Sequence, residues 1–115
     1  MSRERRRDNR ATIDWAVLVR DTGGIIVADI ENISLSGAFI RCSVPLEPMK
    51  RYKLHIMVPN HSPLNANAEV AWLSVKCTEG GIPPCGIGIR FTRVSKSDRE
   101  IINGHILQSP MSKYY

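Results

Sequence analysis

Two short stretches of this chain combine residue types that chemistry can use. The first is Arg5-Arg6-Arg7-Asp8-Asn9-Arg10, part of an opening decapeptide with five arginines and two acids. A charged run of this kind is ordinarily a solvated segment. This one, however, uses arginine without a single lysine, and solubility has no need of the planar fork that arginine offers to phosphate and to the O6/N7 edge of guanine. Arg6 and Arg10 are four residues apart, so an extended chain and a helical turn alike present both on one side. The second stretch is Asn32-Ile33-Ser34-Leu35-Ser36-Gly37. It sets an amide, two hydroxyls and a glycine between two apolar runs, where a tight hairpin needs only two residues. Alone it reads as a turn. Beside an arginine arm it also suits the binding of a base or a phosphate at the end of a strand.

Other chemistries are poorly served. There is no P-loop, no G-x-G-x-x-G after a strand, no G-x-S-x-G and no histidine placed near a credible nucleophile, so an enzyme is disfavoured. Cys42, Cys77 and Cys85 are odd in number, and neither they nor His55, His61 and His105 fall at paired metal-ligand spacing. Reduced, buried thiols are the expected state. No apolar run is long enough for a signal peptide core or a membrane span, which leads us to expect a cytoplasmic protein. The net charge is +5. Because +3 of it lies in residues 1–10, the basicity is a local patch suited to a small anionic partner rather than a long nucleic-acid track.

The elements that must position these stretches follow from periodicity. Thr12 to Arg20 alternates, with Ile13, Trp15, Val17 and Val19 on one side, the period of a half-buried strand. Gly23-Gly24 turns the chain into a second strand, Ile25 to Ile33. Further strands are expected at Ala38–Cys42, Tyr52–Val58, Ala66–Ser74 and Gly86–Phe91, with proline and glycine loops between them. Six short strands at near-regular spacing predict an all-β fold, a small barrel or sandwich. The tail differs. Ser95 or Ser97 can cap a helix, each with an acid three residues later, and Ile101, Ile102, Ile106 and Leu107 give that helix an apolar side before Pro110. The expected division is an arm over residues 1–11 and one domain over 12–115.

With these residues in view, the chain resembles the PilZ domain family, whose motifs R-x-x-x-R and D/N-x-S-x-x-G match Arg6 to Arg10 and Asn32 to Gly37. The resemblance continues through Glu69-Val70-Ala71-Trp72, Gly86-Ile87-Gly88-Ile89-Arg90-Phe91 and Ser95 to Leu107, and so covers nearly the whole chain. It implies a six-stranded antiparallel β-barrel with a C-terminal α-helix that binds the bacterial second messenger cyclic di-GMP, with no other cofactor. By that resemblance Arg6 and Arg10 contact phosphate and guanine, Asn32 and Ser34 address a guanine edge, and Gly37 keeps the loop open to the ligand. Arg5 stands where the family has an arginine that goes with an intercalated pair of ligands, and Arg7 offers a further stacking or phosphate contact. Trp72 matches a tryptophan that lies beside the nucleotide in some members, while its place in the strand pattern fits the barrel core equally well. Most members have Asp where this chain has Asn32. A carboxylate accepts from both N1–H and N2–H of guanine, whereas an amide brings one acceptor together with donors.

The implied function is a receptor whose arm orders on the ligand and presents a changed surface to a downstream protein. Two rivals stand beside it. One is a basic barrel for single-stranded nucleic acid, disfavoured by an aromatic content of only 6%. The other is a degenerate PilZ adaptor that binds only protein.

Overall fold

The computed structural model describes residues 11–44, 46–73 and 85–108. Six strands form a closed, wholly antiparallel barrel: β1 (Ala11–Asp21), β2 (Gly24–Ile33), β3 (Gly37–Cys42), β4 (Arg51–Ile56), β5 (Leu64–Leu73) and β6 (Cys85–Val94), followed by one helix, α1 (Lys96–Gln108). Around the barrel the order is β1-β2-β3-β6-β5-β4, and β4 closes on β1. Closure removes the open edges that a small sheet would otherwise expose. The β1–β2 hairpin is closed by the pair Asp21↔Gly24, one residue earlier than the Gly-Gly turn suggested, and the Asp21 carboxylate accepts the Gly23 N–H at 2.7 Å.

Alternation determines what faces inward. Trp15, Val17 and Val19 from β1, Ala28 and Ile30 from β2, Ile40 and Cys42 from β3, Leu54 and Ile56 from β4, Leu64, Ala66 and Ala68 from β5, and Ile87 and Ile89 from β6 are all buried. Each large aliphatic side chain of this set contributes roughly 1.5–3 kcal/mol by leaving water. Burial also pushes the Cys42 thiol up to about 11, so it is protonated at neutral pH. Cys77 lies outside the described residues.

Ser95, not Ser97, caps the helix: its hydroxyl accepts the Asp98 N–H at 3.1 Å, and its carbonyl accepts the Arg99 N–H at 2.9 Å. The Asp98 carboxylate reaches across to the Asn65 N–H of β5 at 3.1 Å and thereby ties the helix to the sheet. Ile102 and Ile106, one turn apart, are buried against the barrel, and His105 meets the Trp15 ring edge-on at 4.8 Å. Leu107 departs from the expected apolar side. It lies a further 100° round the helix from Ile106 and is 69% exposed.

The register shifts on β1, where Ile13 and Asp14 together oppose Glu31, and at three further positions on β2, β5 and β6. Glu31 has no partner on β3, Ala71 has none on β6, and Thr92 has none on β5. Each extra residue is a β-bulge, which puts later side chains on the face opposite to the one unbroken alternation would give them.

Candidate functional site

The bulge at Glu31 lies between two inward residues, Ile30 and Ile33, and so turns both Glu31 and Asn32 outward at the end of β2. Asn32 pairs with Thr12 across β1, and the next pair is Ala11↔Ile33. The chain entering β1 is therefore delivered beside the Asn32–Gly37 loop. Arg5, Arg6, Arg7 and Arg10 themselves lie outside the described residues.

The loop is held together by Ser34, which is fully buried. Its hydroxyl accepts the N–H groups of Ser36 at 3.3 Å and Gly37 at 3.2 Å and donates to the Gly37 carbonyl at 3.2 Å, while the Ser34 N–H also reaches that carbonyl at 2.8 Å. The hydroxyl thus shapes the turn, as a buried serine with two backbone donors in reach does. The Phe91 N–H donates to the Ser36 carbonyl at 2.8 Å, so β6 fixes the loop from the other side. Gly37 is constrained by the same strand: a Cβ there would stand 2.1 Å from the Ile89 carbonyl oxygen. Its lack of a side chain permits the close approach of β3 to β6, a reason additional to ligand access.

The bulge at Ala71 decides between the two readings of Trp72. Val70 packs on the core, Ala71 is the extra residue, and Trp72 emerges on the outer surface, 54% exposed. It is not a core side chain. Its cross-strand partner is Gly88, and the partner of Gly88 on the other side is Phe39. The indole over Gly88 and the Phe39 ring over Gly86 stack, with centroids 5.3 Å apart and planes inclined by 25°. Together with Asn32, Ser36, Gly37 and Arg90 they line an open cleft of about 490 Å³. The Arg90 guanidinium is paired with the Glu69 carboxylate and stays largely exposed.

The structure thus brings Asn32, Gly37 and Trp72 to one cleft, with Ser34 beneath it. Phe39, Ser36 and Arg90 line the same cleft and were not singled out from the sequence. The available signal was the pair of glycines in Gly86-Ile87-Gly88, whose missing side chains make room for the rings of Phe39 and Trp72. Chemically, the cleft offers a flat aromatic wall for stacking, amide and hydroxyl groups for base or phosphate edges, and a cation at its side. Among the described residues no group of His, Cys, Asp and Glu is arranged to hold a metal, and no helix is long and apolar enough to cross a membrane.

The fold is shared with solved structures. The PilZ domain of YcgR from Escherichia coli, solved with c-di-GMP, superposes with a TM-score of 0.73 at 15% identity over 96% of this chain and 93% of that one. The Bacillus subtilis inhibitor of motility MotI/DgrA superposes with a TM-score of 0.74 at 13% identity over 88% of this chain, which spans about half of that protein (49%). No curated protein matches the sequence. The PilZ domain family model matches residues 4–108, taking in the arginine arm, the Asn32–Gly37 loop, all six strands and the helix, and the chain belongs to that family.

Proposed function

We propose that this protein is a receptor for cyclic di-GMP. The observation that carries the reading is the pairing of Ala11 with Ile33 and Thr12 with Asn32, which joins the arginine arm to the rim of the aromatic-walled cleft. An arm rich in arginine supplies the positive charge that two or four phosphates require, and the cleft supplies the platform on which a purine stacks. Family membership and the ligand carried by the YcgR domain support the same class of ligand.

In this reading Arg6 and Arg10 clamp phosphate and guanine, Arg7 adds a stacking contact, and Arg5 favours an intercalated pair of ligands. Asn32 reads a base edge from the loop that Ser34 and Gly37 hold in shape, and Trp72 covers the outer base. The arm orders as the ligand binds, and the surface so formed is read by a downstream protein. No chemistry is performed on the ligand.

Calorimetric titration with cyclic di-GMP, with GTP, GMP and cyclic di-AMP as controls, tests the proposal. The expected result is saturable heat with cyclic di-GMP alone, at two ligands per chain. Absence of heat up to high micromolar ligand overturns it.

A further inference from the structure

A second polar surface lies on the barrel away from the cleft. Across four neighbouring strands, Arg20 pairs with Lys53, Lys53 with Asn67, and Asn67 with Arg93, forming one continuous row. At a strand spacing of about 4.8 Å the row is roughly 14 Å long. Its residues line a groove of about 530 Å³ with His55, Asn65 and Ser95, none of which lines the aromatic cleft. Arg93 joins the row because of the bulge at Thr92. Phe91 packs inward, Thr92 is the extra residue, and Arg93 turns out to solvent.

The three cations of this row are exposed, and none is in an ion pair with a carboxylate of the described residues. Three other cations of the barrel are paired: Arg41 with Glu31, Lys50 with Asp21, and Arg90 with Glu69. Asp98, at the edge of the groove, is engaged with the Asn65 N–H. Arg20 and Lys53 stand directly opposite each other on adjacent strands, a like-charge arrangement that destabilises a sheet unless an anion joins it. The polar lining is orderly, with His55 Nδ1 2.7 Å from Asn65 Oδ1.

The groove has no phenylalanine, tyrosine or tryptophan in its lining, so it lacks the stacking platforms of a single-strand nucleic-acid site. The large exposed apolar side chains Ile25, Val27, Val44, Met49, Met57 and Leu107 are likewise absent from it, which leaves nothing to enter a bilayer. What remains is a concave row of unpaired cations interleaved with amide groups, the complement of several carboxylates on one segment. We infer that this groove docks a short acidic segment of a partner protein through Arg20, Lys53 and Arg93. The inference is independent of the cyclic di-GMP reading, since the two surfaces share no residue.

Fluorescence anisotropy on the full chain at low ionic strength, with a labelled twelve-residue peptide carrying six glutamates, tests it. Binding is expected to weaken at least tenfold in Lys53→Glu and in Arg93→Glu, and less than twofold in Arg99→Glu, an equal charge reversal on the exposed side of the helix. The melting temperature of Lys53→Glu should be unchanged or raised, which separates loss of docking from loss of fold. Three outcomes overturn the inference: no peptide binding, equal weakening by all three reversals, or tighter binding through Lys53 and Arg93 of a twelve-residue thymidine oligonucleotide or of phosphatidylglycerol vesicles than of the peptide.

Discussion

The Trp72 indole lies on Gly88: a Cβ added to that glycine would come within 2.2 Å of the indole nitrogen. The glycine is a seat, and the ring occupies the space that a side chain would take. Phe39, the other cross-strand partner of Gly88, stacks its ring on the indole.

Gly88→Ala should therefore lift the indole from the barrel without opening the core, because Trp72 is exposed and can swing outward. Thermal stability should change little, while affinity for cyclic di-GMP should fall in the manner of Trp72→Ala, by about 1–3 kcal/mol, the usual worth of an aromatic platform under one base. Calorimetry beside a melting curve reads both. Unchanged affinity in both variants would remove the indole from the site.

The arm should behave as ligand-binding chain rather than as core. Arg6→Ala and Arg10→Ala are each expected to abolish cyclic di-GMP binding and leave the melting temperature within a degree or two. Arg5→Leu is expected to lower the stoichiometry from two ligands towards one. Unfolding of Arg10→Ala would make the arm structural.

Asn32 faces outward at the mouth of the cleft, and an amide there presents one acceptor to a guanine edge that has two donors. Asn32→Asp should tighten cyclic di-GMP binding by about 1–3 kcal/mol, the range that separates good from poor base readout. Weaker binding in the variant would mean that Asn32 meets a different edge of the ligand.

Ser34→Ala should act on the loop first. Removing the hydroxyl leaves the N–H groups of Ser36 and Gly37 without their acceptor in a part-buried turn, which costs about 1–3 kcal/mol. Denaturant unfolding should show that loss in the absence of ligand. A variant of native stability that binds no ligand would instead give Ser34 a direct contact.

The six strands were legible because residues such as Trp15, Val17, Val19, Leu54 and Ile56 keep a strict two-residue period, and the helix because Ser95 and the Ile102/Ile106 pair carry its start and its buried side. The arm and the Asn32–Gly37 loop were legible as motifs, since each is a local run of unusual composition. Trp72 was left between core and surface because nothing in Val70-Ala71-Trp72-Leu73 marks Ala71 as the extra residue. A bulge is decided by pairing with β6, far away in sequence. Phe39 and Arg90 were missed for the same reason: their meeting with Trp72 and Glu69 depends on β3, β6 and β5 being neighbours, which no local pattern encodes. The burial of Ser34 follows from the Phe91 N–H holding the loop against β6 and was equally invisible from within the motif.

The bulges at Glu31, Ala71 and Thr92 give this barrel a property that residue identity alone does not convey. Each works as a phase shift in the pleat, interrupting the two-residue period of its strand. Without Ala71 the chain would run from Val70 straight to Trp72 in unbroken alternation, and the indole would still face out opposite Gly88, so the bulge takes up one residue of sequence and leaves the aromatic wall where it is. Such a scaffold can take up or shed single residues at its bulges, a form of variation that leaves both the topology and the side chains beyond the bulge in place.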